Sequence, residues 1–446
     1  MMVRTESGSG FGRRITATIA AASLAATGLV VTTGSTIAGA ASTSSCQAAK
    51  TPTSAELNST TGITKNSVTV GNISIISGPV PGLFQGAPYG AEAYFAYLNS
   101  KGGVNGRKIT LKSYDDAFSG TQNQAAAEEN AKNNFALVGG FSLFDNYTCN
   151  VLAKNPAVPD VSVTLDSGTN SLKNSFSPQP LALGAPQTGY QYLKKLYPEA
   201  VKHVANLVSN VETAITQWHG QEAMMLHNGY KFSYVRNVSP LETNFTTDVI
   251  NMKNKGVQMV LLTDGDWQIF SALVKAMKQQ NFHPKVMLSA GPIYDDHFVA
   301  AAGGAANTNG IYLIQGQSLY LGQDAKTTPA VKTFNTWVQK VHPGFKANLF
   351  TVYGWTSAAL FAQALKAAGP NPTRGKVLAA LGKITKFSAD GLVAPANPAK
   401  KIPPNCVVFA QIKSGKFTRI KPTATKGYDC SGTYYGPKGQ LPKVQS

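Results

Sequence analysis

Short β-branched runs alternate with amphipathic stretches along most of this chain, and that alternation limits the fold more than any other feature. Val68–Ile76 (VTVGNISII) reads as a strand ending at Ser77-Gly78-Pro79. Ala87–Ser100 (APYGAEAYFAYLNS) follows as a helix stopped by Lys101-Gly102-Gly103. A strand over Ile109–Tyr114, a helix over Thr121–Asn134, a strand over Ala136–Gly139, a short helix and a strand at Val161–Val163 continue the series. Parallel strands need long crossovers and helices supply them, so the pattern predicts a mostly parallel sheet covered on both faces.

The pattern then repeats. Helices are predicted from Gln187 to Leu196, near Gln217–Asn228, about Asn244–Lys255 and over Gln268–Gln280. Between them lie strands at His203–Val208, Phe232–Val235, Gln258–Thr263 and Lys285–Ser289, then Gly310–Ile314. Tyr353–Ala368 is a further helix, and Val407–Ile412 with Lys416–Ile420 flank Ser414-Gly415 as a hairpin. Two similar α/β units account for this.

Arg4, Arg13 and Arg14 precede an apolar, acid-free run from Ile15 to Val31, and small residues follow at Ala38-Gly39-Ala40. That is the order of a secretory signal peptide, so residues 1–40 are expected to be removed and the protein exported. The run is short and weak for a spanning helix. Cys46 admits a lipid-anchored alternative, although Thr43-Ser44-Ser45 ahead of it lacks the usual aliphatic residue. Lys and Arg number 40 against 22 Asp and Glu, and from Lys400 onward eight Lys and one Arg face Asp429 alone. For an exported chain this basic end suits an anionic cell-envelope surface better than nucleic acid, which is not expected as a partner.

Cys46, Cys149, Cys406 and Cys430 form an even set, which in an oxidising space points to two disulfides with three possible connectivities. Cys406–Cys430, closing a short loop, and Cys46–Cys149, tying down the N-terminal segment, are favoured. No CxxC is present, and no metal site or cofactor is expected.

The stretch from Ile76 to Asp116 (ISGPVPGLFQGAPYGAEAYFAYLNSKGGVNGRKITLKSYDD) resembles the first lobe of type I periplasmic solute-binding proteins, nearest in pattern to the leucine/isoleucine/valine-binding proteins of ABC transporters. Ser77-Gly78-Pro79, Gly90-Ala91-Glu92, Asn99–Gly106 and Tyr114-Asp115-Asp116 carry the likeness. It implies two Rossmann-like lobes with mostly parallel sheets, joined by a hinge of about three crossovers and closing on a ligand. On this reading residues 41–66 lead in, 67–186 form lobe 1, 187–314 form lobe 2, 315–390 return to lobe 1, and 391–446 return to lobe 2 and end in the basic tail. A monomer that delivers a small molecule to an ABC transporter permease is implied.

Ligands of open parallel sheets bind beyond the carboxyl ends of the strands. Those ends include Ser77-Gly78, Phe141-Ser142, the loop holding Ser167, and Asp264-Gly265-Asp266. In amino-acid-binding relatives lobe 1 holds the carboxylate on hydroxyls and N–H groups, and lobe 2 supplies an acid for the ammonium. The matching positions here are Ser142 and Ser167, against Asp264 or Asp266; equally, the two aspartates suit a helix cap before Trp267. Phe84, Phe141 and Trp267 can wall an apolar pocket, and Gly140–Phe144 departs from the Ser-rich loop of the relatives. The expected ligand is an amino acid or a similar small polar or amphiphilic molecule; the alternative is a ligand-sensing module not coupled to transport.

Enzyme readings find no support. The sequence has no G-x-S-x-G, Walker or H-E-x-x-H motif, its six histidines show no ligand spacing, and no catalytic residue is nominated.

Overall fold

The computed structural model describes residues 46–263, 265–436 and 439–441. The expected signal peptide, residues 1–40, lies outside the described residues, as do Asp264 and part of the basic tail. Lobe 1 is a five-stranded parallel sheet of β1 (Ser67–Ser74), β2 (Lys108–Asp115), β3 (Leu137–Val138), β4 (Asp160–Val161) and β5 (Ser175–Phe176) in the order β2-β1-β3-β4-β5. A two-residue strand, β6 (Ala185–Pro186), lies in the chain leaving it.

Lobe 2 holds β7 (Val204–Ser209), β8 (Phe232–Val238), β9 (Met259–Thr263), β10 (Val286–Ser289), β11 (Tyr312–Gln315), β12 (Val408–Lys413) and β13 (Lys416–Lys421). They order as β13-β12-β11-β10-β9-β7-β8, every strand running the same way except β12, which is antiparallel to both neighbours. Ser414 and Gly415 take φ values of 49° and 71°, the left-handed pair that a two-residue hairpin of matching twist needs. β14 (Tyr434–Gly436) pairs with β15 (Gly439–Leu441) and with β6, so the end of the chain is stitched to the crossover between the lobes. The chain passes between the two sheets after β5, after β11 and before β12.

The second passage brings the helix Leu349–Ala367 against the lobe 1 helix Gly86–Ser100. A Cβ on Gly90 would stand 2.0 Å from the Thr351 carbonyl oxygen, and one on Gly354 would stand 1.9 Å from that of Ala87. Two facing glycines thus let the helix backbones touch, and Phe361, Leu360 and Leu365 complete the core over Val68, Val70 and Val138. Arg374 clamps the same region, donating from Nε to Phe135 O and from Nη2 to Ala131 O and Asn134 O at 2.7–3.2 Å. Burial pushes its pKa down to about 10.

Both favoured disulfides are present, Cys46–Cys149 and Cys406–Cys430. Two tail cations are internal rather than surface charges. Arg419 pairs with the buried Asp324, and Lys401 donates to the Leu172 and Ser175 carbonyls of lobe 1.

Candidate functional site

The carboxyl ends of both sheets face one cleft of about 320 Å³, near the lower end of the range for small-molecule pockets. Its lobe 1 wall is carbon. Phe84 follows β1, Phe141 and Leu143 follow β3, Val163 and Leu165 follow β4, and Phe350 and Tyr353 open the helix Leu349–Ala367. Phe84 stands 4.8 Å from Phe141 and 4.4 Å from Phe350 between ring centroids, and Phe141 lies 5.4 Å from Tyr353. Edge-on and tilted rings at these distances attract beyond their burial, so the rings of the wall hold one another.

Lobe 2 contributes Ser209, Thr263, Asp266, Ser289, Gln217 and Gln221. Asp266 caps the helix Trp267–Gln279, accepting from Ile269 N at 2.9 Å, and burial raises its pKa. Gln221 donates to Tyr190 Oη at 2.6 Å and accepts from Thr263 Oγ1 at 3.3 Å. At the crossovers, Gln317 Nε2 donates to Gln179 Oε1 at 2.5 Å, and Gln179 Nε2 donates to Gly316 O at 3.1 Å. Among the described lining residues Asp266 is the sole carboxylate, and Lys, Arg and His are absent.

The lobes touch across the cleft edge. The lobe 2 helix Glu212–His227 sends Thr213 Oγ1 to Leu143 O at 3.2 Å and Gln217 Nε2 to Leu165 O at 2.9 Å. Asn146 Nδ2 donates to Glu212 Oε2 at 3.3 Å beside them. Both acceptor residues, Leu143 and Leu165, line the cleft, so this is a closed arrangement.

Of the residues singled out from the sequence, Phe84, Phe141 and Asp266 line this cleft, whereas Ser77, Gly78, Ser142, Ser167 and Trp267 do not. Ser142 is buried and turned inward, donating from Oγ to Asp116 Oδ2 at 2.5 Å and accepting from Phe144 N at 3.0 Å. Ser167 is the first residue of a short helix capped by Asp166. Ser77 and Gly78 are exposed, and the Ser77 N–H points to the Asp115 carboxylate at 3.1 Å. Trp267 lines a separate depression on lobe 2 and stacks on His297 at 5.4 Å. The glutamines, Phe350 and Tyr353 were not read from the sequence. Glutamine carries no local signal, and Phe350 meets Phe84 only through tertiary packing.

A two-lobed α/β protein with a cleft at facing strand ends is the architecture of a solute-binding protein. The family model described as periplasmic binding protein matches residues 67–416, and the chain belongs to that family. No curated protein matches the chain. Among solved structures it is similar to a branched-chain amino acid ABC transporter from Thermus thermophilus with bound valine, at 14% identity, TM-score 0.69, and 80% and 96% coverage of this chain and that one. A fatty acid ABC transporter substrate-binding protein from Thermomonospora curvata aligns at 16% identity, TM-score 0.69, and 86% and 97% coverage. A solute binding protein from R. palustris in complex with benzoate aligns at 16% identity, TM-score 0.64, and 81% and 97% coverage. No helix of the described residues is long and apolar enough to cross a membrane.

Proposed function

We propose that this chain is the extracytoplasmic binding component of an ABC importer, capturing a small molecule between its two lobes and passing it to a membrane permease. The reading assigns capture, not turnover. The observation that carries it is the cleft itself, an aromatic wall on lobe 1 facing amides, hydroxyls and Asp266 on lobe 2, bridged directly by Thr213 and Gln217. A ligand filling it would touch both lobes at once, so it binds the closed form more tightly and shifts the equilibrium toward it. The ligand is a small amphiphilic molecule of amino-acid size or somewhat larger, with an apolar body.

Valine, benzoate and fatty acid, named for the structural neighbours, all carry a hydrocarbon body, and that body is the part this wall accommodates. The test is mass spectrometry of the molecule released from the native protein, followed by solution scattering with and without it. A smaller radius on adding the released molecule is expected. An unchanged radius at saturation would refute capture by closure.

A further inference from the structure

Parallel sheets offer free backbone N–H groups beyond their carboxyl ends, and those groups ordinarily suit an anion. In lobe 1 the protein's own carboxylates occupy them. Asp115 accepts from Ile76 N at 3.0 Å, Ser77 N at 3.1 Å and Ala117 N at 2.8 Å. Asp116, fully buried, accepts from Phe118 N at 3.1 Å and from Ser142 Oγ. Asp145 accepts from Leu165 N at 2.6 Å, Asp166 N at 3.3 Å and the Thr164 hydroxyl. Asp166 accepts from Thr169 N at 2.6 Å.

At these lobe 1 strand ends the Ile76, Ser77, Leu165 and Asp166 N–H groups and the Ser142 and Thr164 hydroxyls are therefore committed internally. The surface shown to the cleft is instead Phe84, Phe141, Phe350 and Leu165. Opposite stands Asp266, with no cation among the described lining residues. A ligand carboxylate placed there would lose its hydration, find these donors already used and meet the Asp266 carboxylate with no cation among the described lining residues to offset it, which is a bias against it.

We propose that the cleft selects amphiphiles lacking a free carboxylate, their apolar body on the Phe84–Phe141–Phe350 wall and a hydroxyl or ammonium donating to Asp266. This rests on the solute-binding reading and names the ligand class of the same cleft. The test is calorimetry with four compounds sharing one phenylethyl body, namely phenethylamine, phenethyl alcohol, phenylalanine and hydrocinnamate. The amine or the alcohol is expected to bind about tenfold or more tightly than both carboxylates, a difference of roughly 1.4 kcal/mol. Equal or tighter binding of phenylalanine or hydrocinnamate overturns the inference, as does failure of both the amine and the alcohol to bind.

Asp266→Asn keeps the helix cap, since Asn caps as well as Asp. It should weaken the amine about tenfold and the alcohol less, because the amine loses an ion pair charged on both sides whereas the alcohol loses a bond charged only at the acceptor. If it leaves both unchanged, the assignment of Asp266 falls. A carboxylate-bearing native ligand that still closes the lobes would overturn this inference while leaving the solute-binding reading intact.

Discussion

Asp145 illustrates how a single buried carboxylate sets the behaviour of a wall. Its Oδ2 gathers the Thr164 hydroxyl and the Leu165 and Asp166 N–H groups, while Oδ1 is buried without a partner in the structure. Burial outweighs the hydrogen bonds and pushes its pKa up to about 7; Asp160, held by Ser175, rises to about 6 for the same reason. An acid whose pKa is raised on folding holds its proton more tightly in the native state. The resulting stability is present below its ordinary carboxylate range and is lost as pH climbs through the folded value. Thermal unfolding followed from pH 4 to 8 should therefore show a fall of a few degrees attributable to Asp145. Asp145→Asn should flatten that part of the curve; an unaltered profile would show that Asp145 titrates normally. Ser142 belongs to the same scale. Ser142→Ala leaves Asp116 short of a donor and should cost about 1–3 kcal/mol in urea unfolding while leaving closure unchanged.

At the scale of elements, most strands and helices were legible because apolar periodicity and Gly punctuation are local properties. The strands β1, β2, β7 and β9 and the helices Gly86–Ser100 and Trp267–Gln279 fall within a residue or two of their sequence reading. The helix Pro329–Val341 was not read, although Pro at its start and Val331, Phe334 and Val338 at helical spacing were there to be seen. The strands β5, β6 and β14 escaped for a different reason. Two or three residues carry no periodicity, and their pairing is decided by partners far along the chain. Site residues divide the same way: Phe141 and Asp266 sit at strand ends visible in sequence, whereas Gln217 reaches the cleft only because its helix leans on lobe 1. Gly90, part of the motif behind the family resemblance, has its explanation in the helix contact with Thr351. Gly354→Ala forces those backbones apart and should destabilise by about 1–3 kcal/mol, measured in urea. Gln217→Ala removes a cross-lobe hydrogen bond worth about 1 kcal/mol, and roughly fivefold weaker ligand binding should follow with little change in melting temperature. Unchanged affinity would mean the contact forms equally well in the open state.

For the whole molecule, the two disulfides close loops of very different length, and the chain-entropy argument alone ranks them wrongly for function. Cys46–Cys149 spans 103 residues and Cys406–Cys430 spans 24, so that argument assigns roughly 4.7 and 3.5 kcal/mol respectively. The longer loop ends in a segment held beside the bond by two hydrogen bonds to the helix that carries Cys149, Gln47 N to Asn150 Oδ1 and Lys50 N to Ala153 O. Opening that bond should fray residues 46–53 while the cleft, built from other elements, persists. The shorter loop is different. Cys406 lines the cleft, Val407 and Asp429 exchange backbone hydrogen bonds, and the chain beyond Cys430 supplies β14, which is stitched to β6 in the first crossover. Releasing Cys430 therefore loosens the cleft floor and the hinge together. Replacing Cys406 and Cys430 by alanine is expected to raise hydrogen exchange at 403–408 and 185–186 and to weaken ligand binding about tenfold or more. The Cys46/Cys149 pair of substitutions should leave binding within about twofold while exposing the N-terminal segment to exchange. If both double variants weaken binding equally, the effect is global stability and the C-terminal strand has no particular hold on the hinge.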